Sequence, residues 1–88
     1  MPRFFFHVCN GHGLVPDEEG LDLESQTAAK TMAIDSIRSM VSEDSRNGVI
    51  DLTGRIDVTD GDKNLLTTVP YFSAFAVKIP EDKADTYI

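Results

Sequence analysis

Arg3-Phe4-Phe5-Phe6-His7-Val8-Cys9-Asn10-Gly11 opens the chain with a strand and its stop. Aromatic and β-branched side chains dominate residues 3–9, and Asn10-Gly11-His12-Gly13 supplies turn chemistry immediately afterwards. A period of two sets Phe4, Phe6 and Val8 on one face and Phe5, His7 and Cys9 on the other. The first set reads as the core face. The second is also rather apolar, so the strand is expected to be covered on both sides, with a second protomer as one candidate cover.

Working outward, the Asn10–Gly13 turn leads to a short second strand at Leu14-Val15. Pro16-Asp17-Glu18-Glu19-Gly20 interrupts it, with Pro16 presetting a turn and Gly20 permitting positive φ. Leu21 and Leu23 alternate with Asp22 and Glu24, so the strand is expected to resume there around a bulge. Residues 26–47 carry the helix signal. Ser25 suits the N-cap, and Asn47-Gly48 the C-terminal stop. Ala29, Met32, Ala33, Ser36, Ile37, Met40 and Val41 trace one helical stripe. Ile34 lies off that stripe and is a candidate interface residue. A third strand is expected at 55–59, with Ile56 and Val58 inward. The Asp60–Asn64 hairpin loop follows, then a fourth strand at 65–69 stopped by Pro70. Phe72 to Ile79 alternates Phe75, Val77 and Ile79 with Ala74, Ala76 and Lys78. It reads as a fifth extended segment, continuing the sheet or pairing with a second protomer.

The resulting class is α+β: an antiparallel sheet of three to five strands with one long helix on one face, in β-β-α-β-β order. Residues 1–80 form a single domain and 81–88 a tail. A chain of 88 residues supports one thin core and leaves little room for a deep enclosed pocket.

Charge and cysteine content narrow the function classes. The net charge is −7, and residues 1–24 hold one basic side chain, Arg3, against five acidic ones. Nucleic-acid binding draws on Lys and Arg against phosphate, and no segment is basic, so direct nucleic-acid binding is not expected. The same charge disfavours anionic membrane surfaces. One cysteine, Cys9, forms no intrachain disulfide, and no apolar run reaches membrane-span length. The expected location is the cytoplasm.

Met1-Pro2-Arg3-Phe4-Phe5-Phe6-His7-Val8, the run Gly13 to Gly20, the helix start near Ala28-Ala29, and Gly54-Arg55-Ile56-Asp57-Val58-Thr59-Asp60 together resemble a family of uncharacterised small bacterial proteins. The resemblance covers about residues 1–72. It implies a stand-alone domain of unknown function and imports no activity, with residues 73–88 as an extension. The element order is also similar to that of HicB-type antitoxin domains, which implies a small basic toxin as partner.

Several side-chain groups invite chemistry. His7, Cys9 and His12 are soft metal ligands, but they lack a fourth strong ligand nearby and the usual paired-cysteine knuckle. Cys9 with His7 suggests a nucleophile, although side chains two apart on a strand face are not assured of contact. Asp17, Glu18 and Glu19 read as a solvated turn or as a dock for a basic partner. Asp60-x-Asp62-x-Asn64 imitates a calcium loop and then fails, with Leu65 where Gly is needed and Tyr71 where Glu is needed. Pro2, once Met1 is removed, offers the secondary amine of a tautomerase, but acidic residues rather than basic ones follow the strand. No metal or other cofactor is expected. The leading expectation is a non-enzymatic protein-interaction or regulatory domain, associating with itself as a homodimer or with another protein. Its candidate interaction residues are Phe5, His7, Asp17, Glu18, Glu19, Ile34 and Phe75. An antitoxin-like role, or a small enzyme using Pro2 or the His7/Cys9 pair, are the alternatives.

Overall fold

A computed structural model describes residues 1–80. The tail assigned to residues 81–88 lies outside the described residues. The elements follow in the order β1 (Arg3–Asn10), β2 (Gly13–Val15), β3 (Leu21–Asp22), α1 (Gln26–Ser45), β4 (Arg55–Thr59) and β5 (Leu65–Pro70), and a 3-10 turn spans Tyr71–Ala74. This is the expected α+β class, with an antiparallel sheet and one long helix.

The strands order as β2-β1-β4-β5, all antiparallel, with β3 also paired to β1. β1 is therefore the central strand. On one side it pairs with β4 from Phe5 opposite Thr59 to Cys9 opposite Arg55. On the other, β2 takes the Val8–Asn10 end and β3 the Arg3–Phe4 end. The expected single second strand with a bulge is thus two strands, separated by the Pro16–Gly20 loop. Pro16 has no N–H to give to a ladder, and Gly20 turns at φ +71°.

Ser25 caps α1 as expected, its hydroxyl accepting from the Ala28 N–H at 3.2 Å. The helix ends at Ser45, two residues earlier than read from sequence. Gly48 closes the following turn at φ +84°, its N–H donating to the Ser45 carbonyl. The buried positions are Ala29, Ala33, Ile37 and Val41, spaced four apart along one line. The two alanines let the helix backbone approach the sheet, and Ile37 fills the gap beyond them. Ile34 is half-buried and packs against this core, so its place off the stripe does not leave it fully exposed.

The sheet contributes Phe4, Ile56, Val58 and Val69, joined by Tyr71 and Ala74 from the 3-10 turn. Phe6 and Val8 pack on the same core, so the alternation along β1 is as read from the sequence. The extended segment expected at 72–79 is corrected. Tyr71–Ala74 winds into a 3-10 turn and residues 75–80 join no strand. Two contacts account for this. The Tyr71 N–H donates to the Gly54 carbonyl while its ring lies on Gly54, where a Cβ would stand only 2.7 Å from a ring carbon. The Arg38 guanidinium donates to the Ala74 carbonyl at 2.9 Å, drawing the chain off the sheet and along α1.

Fully buried apolar side chains contribute about 1.5–3 kcal/mol each. Ile37, with no exposed surface, is expected to lose about 2–5 kcal/mol on truncation to alanine. Exposed Met32 on the same helix is expected to lose roughly 0.5 kcal/mol. Urea unfolding of I37A and M32A checks this, and equal losses would refute the assigned helix face.

Candidate functional site

β1 carries Phe5, His7 and Cys9 on the sheet face away from α1. The register sets Thr59, Asp57 and Arg55 of β4 opposite them. The Pro16–Gly20 loop folds onto that face. Gly20 sits so close that a Cβ would stand 2.8 Å from both the Arg3 side chain and the Phe5 ring, and 2.9 Å from the Phe4 carbonyl. The cover of the second face is thus supplied in part by the chain's own loop.

Asp17 fixes the loop. Its Oδ2 accepts from the Phe6 N–H at 3.1 Å, and its Oδ1 accepts from the N–H groups of Glu19 and Gly20, both at 3.1 Å. The Phe6 amide lies in the gap between the β2 and β3 pairings, so the carboxylate stands in for a missing strand. The expected solvated triple-carboxylate turn is therefore corrected: Glu18 and Glu19 are exposed, whereas Asp17 turns inward. Burial pushes the Asp17 carboxyl up. The N–H groups of Gly20, Phe6 and Glu19 outweigh this and hold it below its ordinary value.

His7 is engaged at both ring nitrogens. The Asp17 N–H donates to Nδ1 at 3.0 Å, and Nε2 lies 3.0 Å from the Thr59 hydroxyl. Nδ1 acts as the acceptor, which assigns the ring hydrogen to Nε2 as donor to Thr59. In this arrangement His7 has no free lone pair with which to serve Cys9 as a base. Cys9 is half-buried. Among the described residues, His7, Cys9 and His12 form no part of a three-ligand metal cluster. Pro2 is exposed at the head of β1, and its carbonyl accepts from the Leu23 N–H at 3.0 Å.

Phe5, His7, Asp17 and Glu18 do come together. With Thr59 and Lys63 they line a cleft of about 360 Å³ between the Pro16–Gly20 loop and the Asp60–Asn64 hairpin. The hairpin is held by Asp60, whose Oδ1 accepts from the N–H groups of Asp62 and Asn64. Glu19 does not line this cleft; its backbone carbonyl accepts from the Arg3 guanidinium, which also pairs with Asp22 at 2.9 Å. Phe75 stands apart from this cleft. It lines a groove of about 290 Å³ with Val41, Ile50, Leu52 and Val77, beside the C-terminal half of α1. Sequence reading missed Thr59 and Lys63, and also Ile50 and Leu52, whereas Val77 belongs to the apolar 72–79 segment it singled out. Thr59 carried a signal through its outward place in the β4 alternation. A third cleft, of about 400 Å³, is lined by His12, Asp44 and Asp51 where the β1–β2 turn meets the end of the helix.

Two outcomes test the loop. Gly20→Ala forces a side chain into the left-handed region and against the Phe4 carbonyl, at a cost of about 2 kcal/mol or more in thermal or urea unfolding. Asp17→Ala strips the partner from three N–H groups and is expected to cost about 1–3 kcal/mol. The folded Asp17 carboxyl lies below its unfolded value of about 3.9, so its contribution is complete above that pH and fades as pH falls through the folded value. Asp17→Asn is therefore expected to flatten the stability loss below about pH 4 relative to the parent chain. Unchanged acid sensitivity in D17N would refute the role given to the carboxylate.

Among the described residues no helix is long and apolar enough to cross a membrane. No curated protein and no solved structure matches the chain. Residues 3–73 match the model of the family described as Domain of unknown function (DUF6894), and the chain belongs to that family.

Proposed function

We propose that this chain is a small protein-interaction domain without catalysis of its own. The observation that carries the reading is the apolar groove between α1 and the segment after the 3-10 turn. Val41, Leu52 and Phe75 form its floor, while Ile50 and Val77 stand 67% and 59% exposed at its sides. Folding the chain leaves these two side chains in water, and a partner's apolar side chain set between them would remove that surface. Among the described residues the one charged side chain in the groove's lining is Arg38, which already donates to the Ala74 carbonyl, while Asp44 and Asp51 line the separate cleft at the β1–β2 turn. The charge that a partner meets is therefore that of the whole chain, a net −7. The partner chemistry that fits is an apolar anchor flanked by basic residues. A small basic toxin, as the antitoxin alternative requires, is one partner of that kind. The engaged ring nitrogens of His7 speak against the alternative of a His7/Cys9 enzyme.

A model amphipathic peptide of leucine and lysine, about 15 residues long, is the probe. Fluorescence anisotropy is expected to show binding that weakens at least tenfold in I50D and in V77D, which corresponds to about 1.4 kcal/mol. Binding is also expected to weaken at high salt and with an acidic peptide of the same apolar pattern. Equal binding by the variants, or none by the parent chain, would overturn the groove as the interaction surface.

A further inference from the structure

The Pro16–Gly20 loop is tied to β1 through a titratable acceptor. The Asp17 N–H donates to His7 Nδ1 at 3.0 Å, and a backbone N–H can only donate. Nδ1 therefore holds a lone pair, and the ring hydrogen sits on Nε2, 3.0 Å from the Thr59 hydroxyl. A neutral imidazole fits this arrangement. An imidazolium does not, because both of its nitrogens carry hydrogen and Nδ1–H would point at the Asp17 N–H. Histidine is the side chain whose ordinary pKa, about 6.5, lies within the physiological range.

The charges around the ring come from every element beside it. Asp57 stands opposite His7 on β4 and pairs with Arg55. The loop brings Asp17 and Glu18, and the Asp60–Asn64 hairpin brings Asp60 and Lys63 to the same cleft. Cys9 shares the strand face, with Leu14 of β2 opposite it. Carboxylates outnumber cations here and favour a charged ring. Those of Asp17, Asp57 and Asp60 already accept from other donors. A move at Asp17 is not confined to its N–H either. The same residue holds the Phe6, Glu19 and Gly20 amides, and Gly20 lies against the Phe5 ring.

We propose that His7 is a pH-sensitive latch: a second ring proton expels the Asp17 N–H and releases the Pro16–Gly20 loop from the outer face of β1. Release opens the cleft that the loop walls and frees the Phe6 amide. Nδ1 can hold a proton only when the Asp17 N–H has left, so opening takes up a proton. The loop is closed above about pH 7, and its open share grows as pH falls through the histidine range. The Ile50/Val77 groove uses none of these residues, so either reading can fail without the other.

Nitrogen-15 NMR of the full chain between about pH 8 and pH 5 is the test. The His7 ring is expected to carry hydrogen on Nε2 alone at the upper end and on both nitrogens at the lower. In step with that change, hydrogen-exchange protection of the Asp17 and Phe6 amides is expected to fall by roughly tenfold or more, while the Ile37 and Val41 amides of α1 keep theirs. His7→Asn sets an amide oxygen in the place of Nδ1, which accepts but takes no proton in this range, and is expected to abolish the step. His12→Asn, at an exposed position outside the loop, leaves the step in place. A His7 ring that gains its second proton with Asp17 protection unchanged overturns the proposal, as does a ring that keeps one hydrogen down to about pH 5. Both are read on the parent chain alone. A step that persists in H7N overturns it as well.

Discussion

The Asp17 carboxylate is the contact on which the sheet edge depends. β1 is the central strand, yet its second neighbour is broken into two short pieces that leave the Phe6 amide between them. A buried N–H without a partner costs about 1–3 kcal/mol. Asp17 meets that amide with one oxygen and ties its own loop with the other. The Asp17 N–H then fixes the His7 ring, and His7 reaches across to Thr59 on β4. One residue therefore links the loop, the central strand and the neighbouring strand. Gly20 completes the arrangement by lying flat against Arg3, Phe4 and Phe5.

This device changes the meaning of the most conspicuous residues. His7 and Asp17 have the composition of an acid–base pair, but their hydrogen bonds run to backbone and to a hydroxyl that orient the loop. The lone pair of His7 Nδ1 is engaged by the Asp17 N–H. Among the described residues, the groove at Ile50 and Val77 is an apolar surface left without internal work. It arises because a thin core with one helix leaves part of the chain after the sheet uncovered.

The fold was largely legible before any coordinates. The Ser25 cap, the helical stripe that contains Ala29, Ala33, Ile37 and Val41 (and also exposed Met32), the β4 alternation and the Asp60 hairpin are local signals, each set by residues within a few positions of one another. Phe72–Ile79 misled because alternation is a necessary mark of a strand and not a sufficient one. Its fate was set by the Arg38 bond to Ala74, across 36 positions of sequence, and by the Tyr71 contact with Gly54. Ile34 is not fully exposed, for a related reason. A helix stripe drawn at ideal spacing is narrower than the arc a twisted sheet covers, so a residue at the margin is half-buried.

The candidate site divides in the same way. Residue types along β1 showed that Phe5, His7 and Cys9 share a face, because strand geometry enforces a period of two. The acidic run showed only that charge is concentrated after Pro16. That Asp17 would turn inward while Glu18 and Glu19 stay in water depended on where the Phe6 N–H stood without a strand to receive it. Likewise Phe75 and Val77 stood out only as part of an alternating run, and Ile50 and Leu52 not at all, until the chain after the 3-10 turn is laid beside α1. By itself the sequence determined β1, α1, β4 and β5 and the sign of the charge, since these follow from local spacing and composition, but not the division of β2 from β3 or the 3-10 turn. Tertiary structure alone decided which polar groups are consumed and which apolar ones are left exposed, because both depend on partners brought together from distant parts of the chain.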